Sequence, residues 1–369
     1  MTPIRLISWA LGLVAFSLVG CQGSGDKAPP AGDQSGAAAP APPKPGPVSL
    51  NGAGATFPYP LYSKWMSEYN TLHPDIMINY QSIGSGGGIR QITAKTVDFG
   101  ATDAPMNADE ESKAPAKLIH IPTTIGAVAV VFNVPGVTEL ELAPEALVGI
   151  YQGTITKWND KKITETNAAA KLPATPIVVA YRSDGSGTTA VFTDYLAKVS
   201  PDWKDKVGVG KSIKWPVGLG AKGNEGVTEQ VKRTPGAIGY VELAYAITNS
   251  LTTAALKNAS GKFVKPDIAA VTAAASGVEM PDTLTVSITN ATGDGVYPIS
   301  SFTYLLVYQD APDATKGKAL ANFVWWAVHD GQKLSEPLHY APLPAPVVAK
   351  VEAKLKTLSS GGKPLLSET

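Results

Sequence analysis

The 369-residue chain contains a single cysteine, Cys21, and only four histidines. One cysteine cannot form a disulfide within the chain or supply a cysteine-based metal cluster. The histidines occupy positions 73, 120, 329 and 339, and no two have the i, i+4 spacing of a helical zinc site. The sequence therefore predicts neither a disulfide framework nor a structural metal, and we expect no cofactor.

Net charge is also absent, because 31 basic residues balance 31 acidic ones. A chain that binds nucleic acid usually carries a basic excess, so we expect no nucleic-acid partner. Hydrophobic residues make up 44% of the chain and charged residues 17%, which is typical of a globular protein. The length suffices for two lobes with cores of their own.

The apolar run at residues 6–19 is too short for a comfortable transmembrane helix. Arg5 precedes it and Gly20 follows it, which is the pattern of a secretory signal, and we assign the signal to residues 1–20. Residues 18–21, Leu-Val-Gly-Cys, resemble the bacterial lipobox, in which the cysteine after the cut carries the lipid. We therefore expect Cys21 to be lipidated; the alternative is an ordinary signal with an incidental cysteine.

Residues 22–47 contain only Gly, Ala, Pro, Ser, Asp, Gln and Lys. Such a composition cannot form a core, so residues 21–47 are predicted to be a lipidated cysteine followed by a disordered tether. We expect an exported protein that is lipid-anchored in the cell envelope. Its body would lie in the periplasm or outside the cytoplasmic membrane, free to dock against a partner in the same membrane.

Three later segments share one pattern, in which a short apolar strand runs through a glycine-rich turn into an amphipathic helix. They are VSLNGAGATFPYPLYSKWMSEYN at 48–70, IMINYQSIGSGGGIRQITAKT at 76–96 and PIVVAYRSDGSGTTAVFTDYLAKV at 176–199. Strands that alternate with helices predict an α/β protein with a largely parallel sheet.

The glycine-rich turns are candidates for an anion site. Ligands of such sheets bind where strands end and helices begin, and the first helical turn offers N–H groups at the positive end of the helix dipole. For one turn, helix capping explains the Ser or Thr equally well. Three such turns, one preceded by Arg182, favour a shared oxyanion socket. The Arg182 fork matches two oxygens of a tetrahedral anion, and Asp184 could orient it, unless the two form only a surface ion pair.

Asp103, in TVDFGATDAP, is a carboxylate close to this predicted anion site. Like charges repel, so the placement makes sense if the anion carries a proton that Asp103 accepts. Hydrogen phosphate has such a proton at neutral pH and sulfate does not, so a desolvated carboxylate would reject sulfate. The alternative is that Asp103 caps the next helix.

Six motifs occur in order: GAGATFP (52–58), IGSGGG (83–88), VDFGATDAP (97–105), DGSGT (184–188), KWPVGLGAKGNEGV (214–227) and GAIGYVE (236–242). Together they resemble the phosphate-binding proteins of bacterial high-affinity phosphate ABC transporters. The resemblance extends over nearly everything from Val48 onward. It implies a type II periplasmic-binding-protein fold with two lobes, two crossings and the ligand in the interlobe cleft.

The resemblance also implies a set of phosphate ligands. Phe57 would donate through its backbone, Asp103 would accept the phosphate proton, and Asp184 would orient Arg182. The full predicted set is Thr56, Phe57, Ser85 and Asp103 from one lobe and Arg182, Ser186, Gly187 and Thr188 from the other. Many relatives have a second serine where this chain has Gly86, which removes at most a supporting hydroxyl.

The crossings are predicted near residues 124–127 and 294–299. Residues 48–125 with 298–369 would then form lobe 1, and residues 126–297 would form lobe 2. Residues 218–223 also match G-x-G-x-x-G, with Glu242 about twenty residues on, but Lys-Trp-Pro is a poor lead-in strand for a dinucleotide site.

The resemblance implies a monomeric, non-enzymatic receptor that binds inorganic phosphate and delivers it to the transmembrane permease subunits of an ABC transporter. Two other functions remain open. One is a secreted phosphatase on the same socket, for which Ser186 or Thr188 could be the nucleophile, although no histidine is near them in sequence. The other is a phosphate sensor or adhesion lipoprotein. A receptor for another oxyanion is a smaller variation.

Overall fold

The computed structural model describes residues 46–366. The predicted signal, the predicted lipidation site Cys21 and nearly all of the predicted tether lie outside the described residues. No helix within 46–366 has the length and apolar composition needed to cross a bilayer.

Strands and helices alternate through most of the described chain. The strands within residues 46–366 are β1 (Val48–Gly54), β2 (Ile76–Ser82), β3 (Phe99–Thr102), β4 (Leu118–Asn133), β5 (Glu141–Leu142), β6 (Val178–Arg182), β7 (Leu219–Ala221), β8 (Ala237–Glu242), β9 (Thr252–Thr253), β10 (Ala255–Lys257), β11 (Phe263–Val264), β12 (Ser300–Tyr308), β13 (Ser359–Ser360) and β14 (Lys363–Pro364). The α-helices of the same range are α1 (Tyr59–Leu72), α2 (Ser85–Thr93), α3 (Ala108–Ser112), α4 (Pro144–Gln152), α5 (Lys161–Thr164), α6 (Gly187–Val199), α7 (Pro201–Lys206), α8 (Gly223–Arg233), α9 (Leu243–Thr248), α10 (Ile268–Ser276), α11 (Ala314–Val328) and α12 (Ala345–Leu355).

The apolar spacing seen in the sequence produces the buried faces of the helices. In α1 the buried side chains are Leu61, Tyr62, Trp65, Met66 and Tyr69, which lie on one stripe because they recur at three- and four-residue intervals. The indole N–H of Trp65 donates to the carbonyl oxygen of Gly331 at 2.7 Å, so this large side chain is buried with its polar atom satisfied. Packing therefore fixes α1 against the C-terminal part of the chain.

The main sheet has the strand order β2-β1-β3-β12-β4-β8-β6-β7, with β9 pairing beside β4. Its outer strands pair in parallel, as β1 does with β2 and β3, and as β6 does with β7 and β8. The central pairs of β3, β12, β4 and β8 are antiparallel. The prediction of a largely parallel sheet is therefore wrong; the sheet is mixed, because two long strands pass through its middle in opposite directions.

Strand β4 is continuous but changes partner along its length. Residues from Leu118 to Ala127 pair with β12, and residues from Val128 to Asn133 pair with β8. The strands β2, β1, β3, β12 and the β12-paired part of β4 are called the first half below, and the rest of the sheet is called the second half. Strand β4 is buried along nearly its whole length and belongs to both halves.

The parallel strands place helix starts at equivalent edges of the two halves. Helix α2 begins after β2, and α6 begins after β6. Helix α8 begins two residues after the short strand β7. Because each of these helices follows a strand end, their N-termini approach one region beside the central strands.

Candidate anion-binding site

The first half contributes four residues of the predicted set from three strand ends. Thr56 and Phe57 follow β1, Ser85 is the first residue of α2, and Asp103 follows β3 directly. All four are buried, with at most 2% of each residue exposed. Gly84 precedes Ser85 with φ of +85°, a conformation that glycine adopts readily and that turns the chain into α2. The ends of the strands and the turn at Gly84 thus determine where these residues lie.

The second half contributes Arg182 and the turn that starts α6. Arg182 is the last residue of β6, and Ser186 is the N-cap of α6, with its Oγ accepting a hydrogen bond from the Thr189 N–H at 3.0 Å. The capping explanation therefore holds for the Ser186 side chain. Thr188 lies in the first turn of the same helix and is fully buried.

Hydrogen bonds join the two turns directly. The Gly187 N–H donates to the Ser85 Oγ at 3.0 Å, and the Gly86 N–H donates to the Gly185 carbonyl at 2.8 Å. A Cβ at Gly187 would stand only 2.5 Å from the Ser85 Oγ and 2.6 Å from an Asp103 oxygen, so only glycine fits there. The glycines let the two helix N-termini approach closely enough for both to contact one small anion.

Arg182 and Asp184 form a buried pair within the second half. The Arg182 Nε donates to Asp184 Oδ1 at 2.8 Å, and Nη2 donates to Oδ2 at 2.6 Å, which is a bidentate arrangement. Burial would raise the pKa of Asp184, but the hydrogen bonds and charge of Arg182 hold it below its usual range. The Arg182 guanidinium is therefore charged and held in one orientation. Its Nη1, which does not contact Asp184, lies 3.3 Å from the Thr188 hydroxyl oxygen.

Asp103 stands between the two halves. Its Oδ2 lies 3.5 Å from the Ser85 Oγ, and its Oδ1 accepts from the Thr303 hydroxyl at 2.9 Å. Burial raises the pKa of Asp103 to about 7, and the Thr303 bond and the charge of Arg182 oppose that rise. The carboxyl is thus poised to hold or accept a proton near neutral pH.

Asp103 does not cap the following helix. Asn107 is the N-cap of α3, and its Oδ1 accepts from the Glu110 N–H at 2.9 Å while Glu110 reaches back to the Asn107 N–H. This capping box satisfies the helix start without Asp103. The capping alternative for Asp103 is wrong, and its buried carboxyl is available for other chemistry.

The remaining predicted residues join the same cluster. The Thr56 hydroxyl is 2.7 Å from the Asn224 side-chain nitrogen, and that nitrogen is 3.4 Å from the Thr188 hydroxyl. The carbonyl of Phe57 accepts from the Tyr340 hydroxyl at 2.7 Å, which holds the β1–α1 turn in place. Within residues 46–366, the buried Phe57 N–H has no hydrogen-bond partner, which suits it to an anion. All eight predicted ligands and Asp184 thus lie in one connected region.

Sequence reasoning missed three buried groups at this site: Asn224, Thr303 and Glu242. Glu242 caps α9, with its Oε2 accepting from the Ala244 N–H at 2.7 Å, and burial raises its pKa well above the usual range. Asn224 stands at the start of α8, within the KWPVGLGAKGNEGV motif at 214–227. A helix start after glycines was the available signal for Asn224, whereas Thr303 in a buried strand offered none.

A further contact links the halves at the edge of the site. The Lys211 Nζ donates to the Pro105 carbonyl and to Glu110, each at 2.8 Å, and both side chains are mostly buried. The Lys211 carbonyl accepts from the Ser186 N–H at 2.8 Å, so the same residue supports the α6 turn. These contacts favour the approach of the two halves.

The arrangement suits a small oxyanion. It offers hydroxyls, backbone N–H groups, a guanidinium and helix N-termini, together with one carboxyl that can take a proton. Within the described range 46–366, no group of three or more His, Cys, Asp or Glu side chains is arranged to hold a metal ion.

The chain is similar to known proteins over most of its length. Residues 35–328 match the model of the PBP superfamily domain. The chain is 46% identical over 310 residues to the phosphate-binding protein PstS of Xylella fastidiosa strain Temecula1, a match that covers 83% of this chain and 84% of that protein. It is 45% identical over 323 residues to the phosphate-binding protein PstS of Pasteurella multocida, covering 86% of this chain and 93% of that protein.

A solved structure supports the same fold. It is the subatomic-resolution structure of PfluDING, a high-affinity periplasmic phosphate-binding protein bound with phosphate at pH 8.5. The match has a TM-score of 0.69 and 25% identity, and it covers 86% of this chain and all of that one. The type II periplasmic-binding-protein fold implied by the resemblance is therefore confirmed.

The raised pKa of Asp103 predicts a pH-dependent stability of the anion-free protein. The folded state holds the Asp103 proton up to about pH 7, whereas the unfolded state loses it near 3.8, so this group's contribution to stability is lost as pH rises through 7. Asp103→Asn removes the buried charge. We expect it to raise the melting temperature by about 2–5 °C at pH 8 and by clearly less at pH 5.

Differential scanning calorimetry of both proteins in phosphate-free buffer measures this difference. Asp109→Asn, on the exposed side of α3, is the matched control and should show no such pH trend. An equal effect of Asp103→Asn at the two pH values would contradict the assignment of the pKa.

Proposed function

Since the chain belongs to the PstS family of phosphate-binding proteins within the PBP superfamily, we propose that it binds inorganic phosphate and delivers it to the permease of an ABC transporter. The names of its relatives state phosphate binding for those proteins. For this chain, the proposal is supported by the cluster of donors around Asp103 and Arg182. Affinity is expected to be micromolar or tighter, about −8 kcal/mol or stronger.

The observation that carries the proposal is the direct contact between the two helix N-termini beside a proton-accepting carboxyl. Ser85 begins α2 and Gly187 begins α6, and they are joined by a 3.0 Å hydrogen bond. The Ser85 hydroxyl also lies 3.5 Å from Asp103. A tetrahedral anion with one proton satisfies both the donors and the carboxyl, and a fully ionised one cannot.

In the proposed ligand set, each residue has one role. Thr56, Ser85, Ser186 and Thr188 offer hydroxyls. Phe57 offers its backbone N–H, and Gly187 would exchange its N–H contact with Ser85 for one with the anion. Arg182 offers its fork, which Asp184 orients. Asp103 accepts the phosphate proton.

We propose that the two halves of the sheet are lobes with the boundaries expected from the sequence, residues 48–125 with 298–369 and residues 126–297. The change of partner along β4 between Ala127 and Val128 supports the first crossing. Opening about β4 and the segment before β12 would separate Ser85 from Gly187 and admit the anion. Bound phosphate would favour the closed arrangement because only that arrangement applies both sets of donors.

The placement of the protein in the cell is proposed from the sequence and its family. An exported body fits the periplasmic relative, and lipidation of Cys21 would hold it at a membrane next to the permease. Two or more acyl chains give stable anchoring, whereas one chain gives only marginal binding. We propose that the protein acts as a monomer, since one chain supplies every ligand of the set.

We propose that the protein does not catalyse a reaction. A phosphatase would need an activated nucleophile and a base. Within residues 46–366, the hydroxyl oxygens of Ser186 and Thr188 contact Thr189, Arg182 and Asn224, and neither is hydrogen-bonded to a histidine. A role as a sensor or adhesion lipoprotein would use the same phosphate site, and phosphate uptake by a strain lacking the protein distinguishes that role from transport.

The phosphate proposal predicts selective binding that depends on Asp103. Isothermal titration of refolded, phosphate-free protein should show one phosphate per chain and no binding of sulfate at pH 8. Asp103→Asn should bind sulfate measurably, because the amide lacks the charge that repels fully ionised oxygens. The wild-type protein should itself accept sulfate better as pH falls below about 7, where Asp103 becomes protonated. Unchanged sulfate rejection by Asp103→Asn would remove Asp103 from the selectivity mechanism.

Arg182→Ala should weaken phosphate binding by about 2–5 kcal/mol, because it removes a buried bidentate donor and leaves Asp184 unpaired. Asp184→Asn should cost less, about 1–2 kcal/mol, since the fork remains but is held less firmly. The exposed pair of Arg233 with Glu229 offers a control, and Arg233→Ala should leave affinity unchanged. Equal affinities of Arg182→Ala and the wild type, again by titration, would exclude Arg182 from the site.

A phosphate monoester assay separates the receptor from the phosphatase. The wild-type protein should release no more product than buffer when incubated with p-nitrophenyl phosphate, whether for one turnover or for many. Ser186→Ala is the variant for comparison. A burst or steady turnover in the wild type that disappears in Ser186→Ala would overturn the receptor proposal.

A further inference from the structure

Asn224 is a fully buried side chain that bridges the two halves. It lies in the first turn of α8, in the second half, and its side chain reaches Thr56 in the first half. Its backbone N–H donates to the Thr56 Oγ1 at 3.2 Å, and its Nδ2 donates to the same oxygen at 2.7 Å.

The orientation of the Asn224 amide is determined by its other contact. Its Oδ1 accepts the Glu242 N–H at 2.8 Å, and a backbone N–H can only donate. The opposite flip would set an amide NH2 against that N–H. The nitrogen of the amide must therefore face Thr56.

These contacts determine whether the Thr56 hydroxyl donates or accepts a hydrogen bond in the anion region. A threonine hydroxyl has two lone pairs and one proton. Both lone pairs of Thr56 Oγ1 receive donors from Asn224, so the hydroxyl proton has to be used elsewhere. The hydroxyl is left as a donor toward the anion region and cannot turn to act as an acceptor there.

Thr188 is constrained in the same way from the second half. Its Oγ1 accepts from the Arg182 Nη1 at 3.3 Å and from the Asn224 Nδ2 at 3.4 Å. Its proton is therefore free to point at an acceptor in the anion region. One amide group thus faces two hydroxyls on opposite sides of the site.

We propose that Asn224 is a positioning residue that makes the hydroxyls of Thr56 and Thr188 obligatory donors to the bound anion. This inference rests on the proposed phosphate function and assigns a cause to its selectivity for an acceptor-rich ligand. A freely rotating hydroxyl would spend part of its time with a lone pair toward the anion. Because Asn224 holds Thr56 only when the halves are together, it also couples the donor orientation to closure.

The test is a double-mutant cycle between Asn224 and Thr56, read as the dissociation constant for inorganic phosphate by isothermal titration. In the wild-type background, Asn224→Ala should weaken binding about 10- to 100-fold, as expected for a lost donor to a charged acceptor. In the Thr56→Val background, the same substitution should weaken binding by a factor at least about threefold smaller, because only the longer contact of Asn224 to Thr188 is then lost. A purely structural role would give the same factor in both backgrounds, and that result would overturn the proposal.

Asn224→Asp is the second variant in case the alanine variant does not fold. It keeps the size of the side chain and the acceptor for Glu242, but it presents an acceptor to Thr56. Its charge repels phosphate equally in both backgrounds, so the difference between the backgrounds reports the Thr56 hydroxyl alone. We expect the loss to be at least about fivefold larger with Thr56 present; equal losses would overturn the proposal.

Asn133→Ala is the matched control, because the Asn133 amide donates to the Val231 and Lys232 carbonyls at the other end of α8. It should leave the dissociation constant within about twofold of the wild type. A weakening as large as that of Asn224→Ala would show that any loosening of α8 is enough and would overturn the inference. Failure of the wild-type protein to bind phosphate would instead overturn the proposed function itself, before any cycle is measured.

Discussion

A carboxyl group buried among hydroxyl, backbone N–H and guanidinium donors is the constraint on which the rest of the site depends. Asp103 is 2% exposed, and its neighbours include the Ser85 hydroxyl, the Thr303 hydroxyl and the charge of Arg182. Desolvation works against its ionised form, and only the donors and the guanidinium limit that effect. A ligand that donates a proton to this carboxylate reduces the cost of burying it, whereas a ligand with only unprotonated oxygens increases that cost.

The close approach of the two halves follows from the small size of such a ligand. A small anion can be surrounded only if groups from separate chain segments come within hydrogen-bond distance of one another. Glycines at 84, 86, 185 and 187 permit that approach, since a Cβ at Gly84 would stand 2.3 Å from an Asp184 oxygen. Strand β4 joins the halves without a loop, and it is the segment about which the proposed opening would occur.

A surrounding layer keeps the anion-facing groups in their orientations. Asp184 fixes the Arg182 fork and also accepts from the Gly223 N–H at 3.0 Å, which ties the arginine to the start of α8. Tyr240 receives the Arg182 N–H at 3.1 Å and stacks on Phe192 with ring centroids 4.4 Å apart. Asn224 orients hydroxyls on both sides. The apolar core of the second half thus helps to fix the position of the Arg182 guanidinium through single hydrogen bonds.

Local sequence patterns were sufficient for the helix starts, the glycine turns, the charged pair of Arg182 with Asp184 and the position of Asp103 directly after a short apolar strand. These features depend on residues close together in the chain, so spacing and residue type determine them. The antiparallel centre of the sheet, the approach of Thr303 to Asp103 and the bridge from Asn224 to Thr56 were decided only by tertiary structure. Thr303 and Asp103 are 200 positions apart and Asn224 and Thr56 are 168 apart. Their contacts depend on which strands pair and how closely the two halves approach, and no local pattern specifies either.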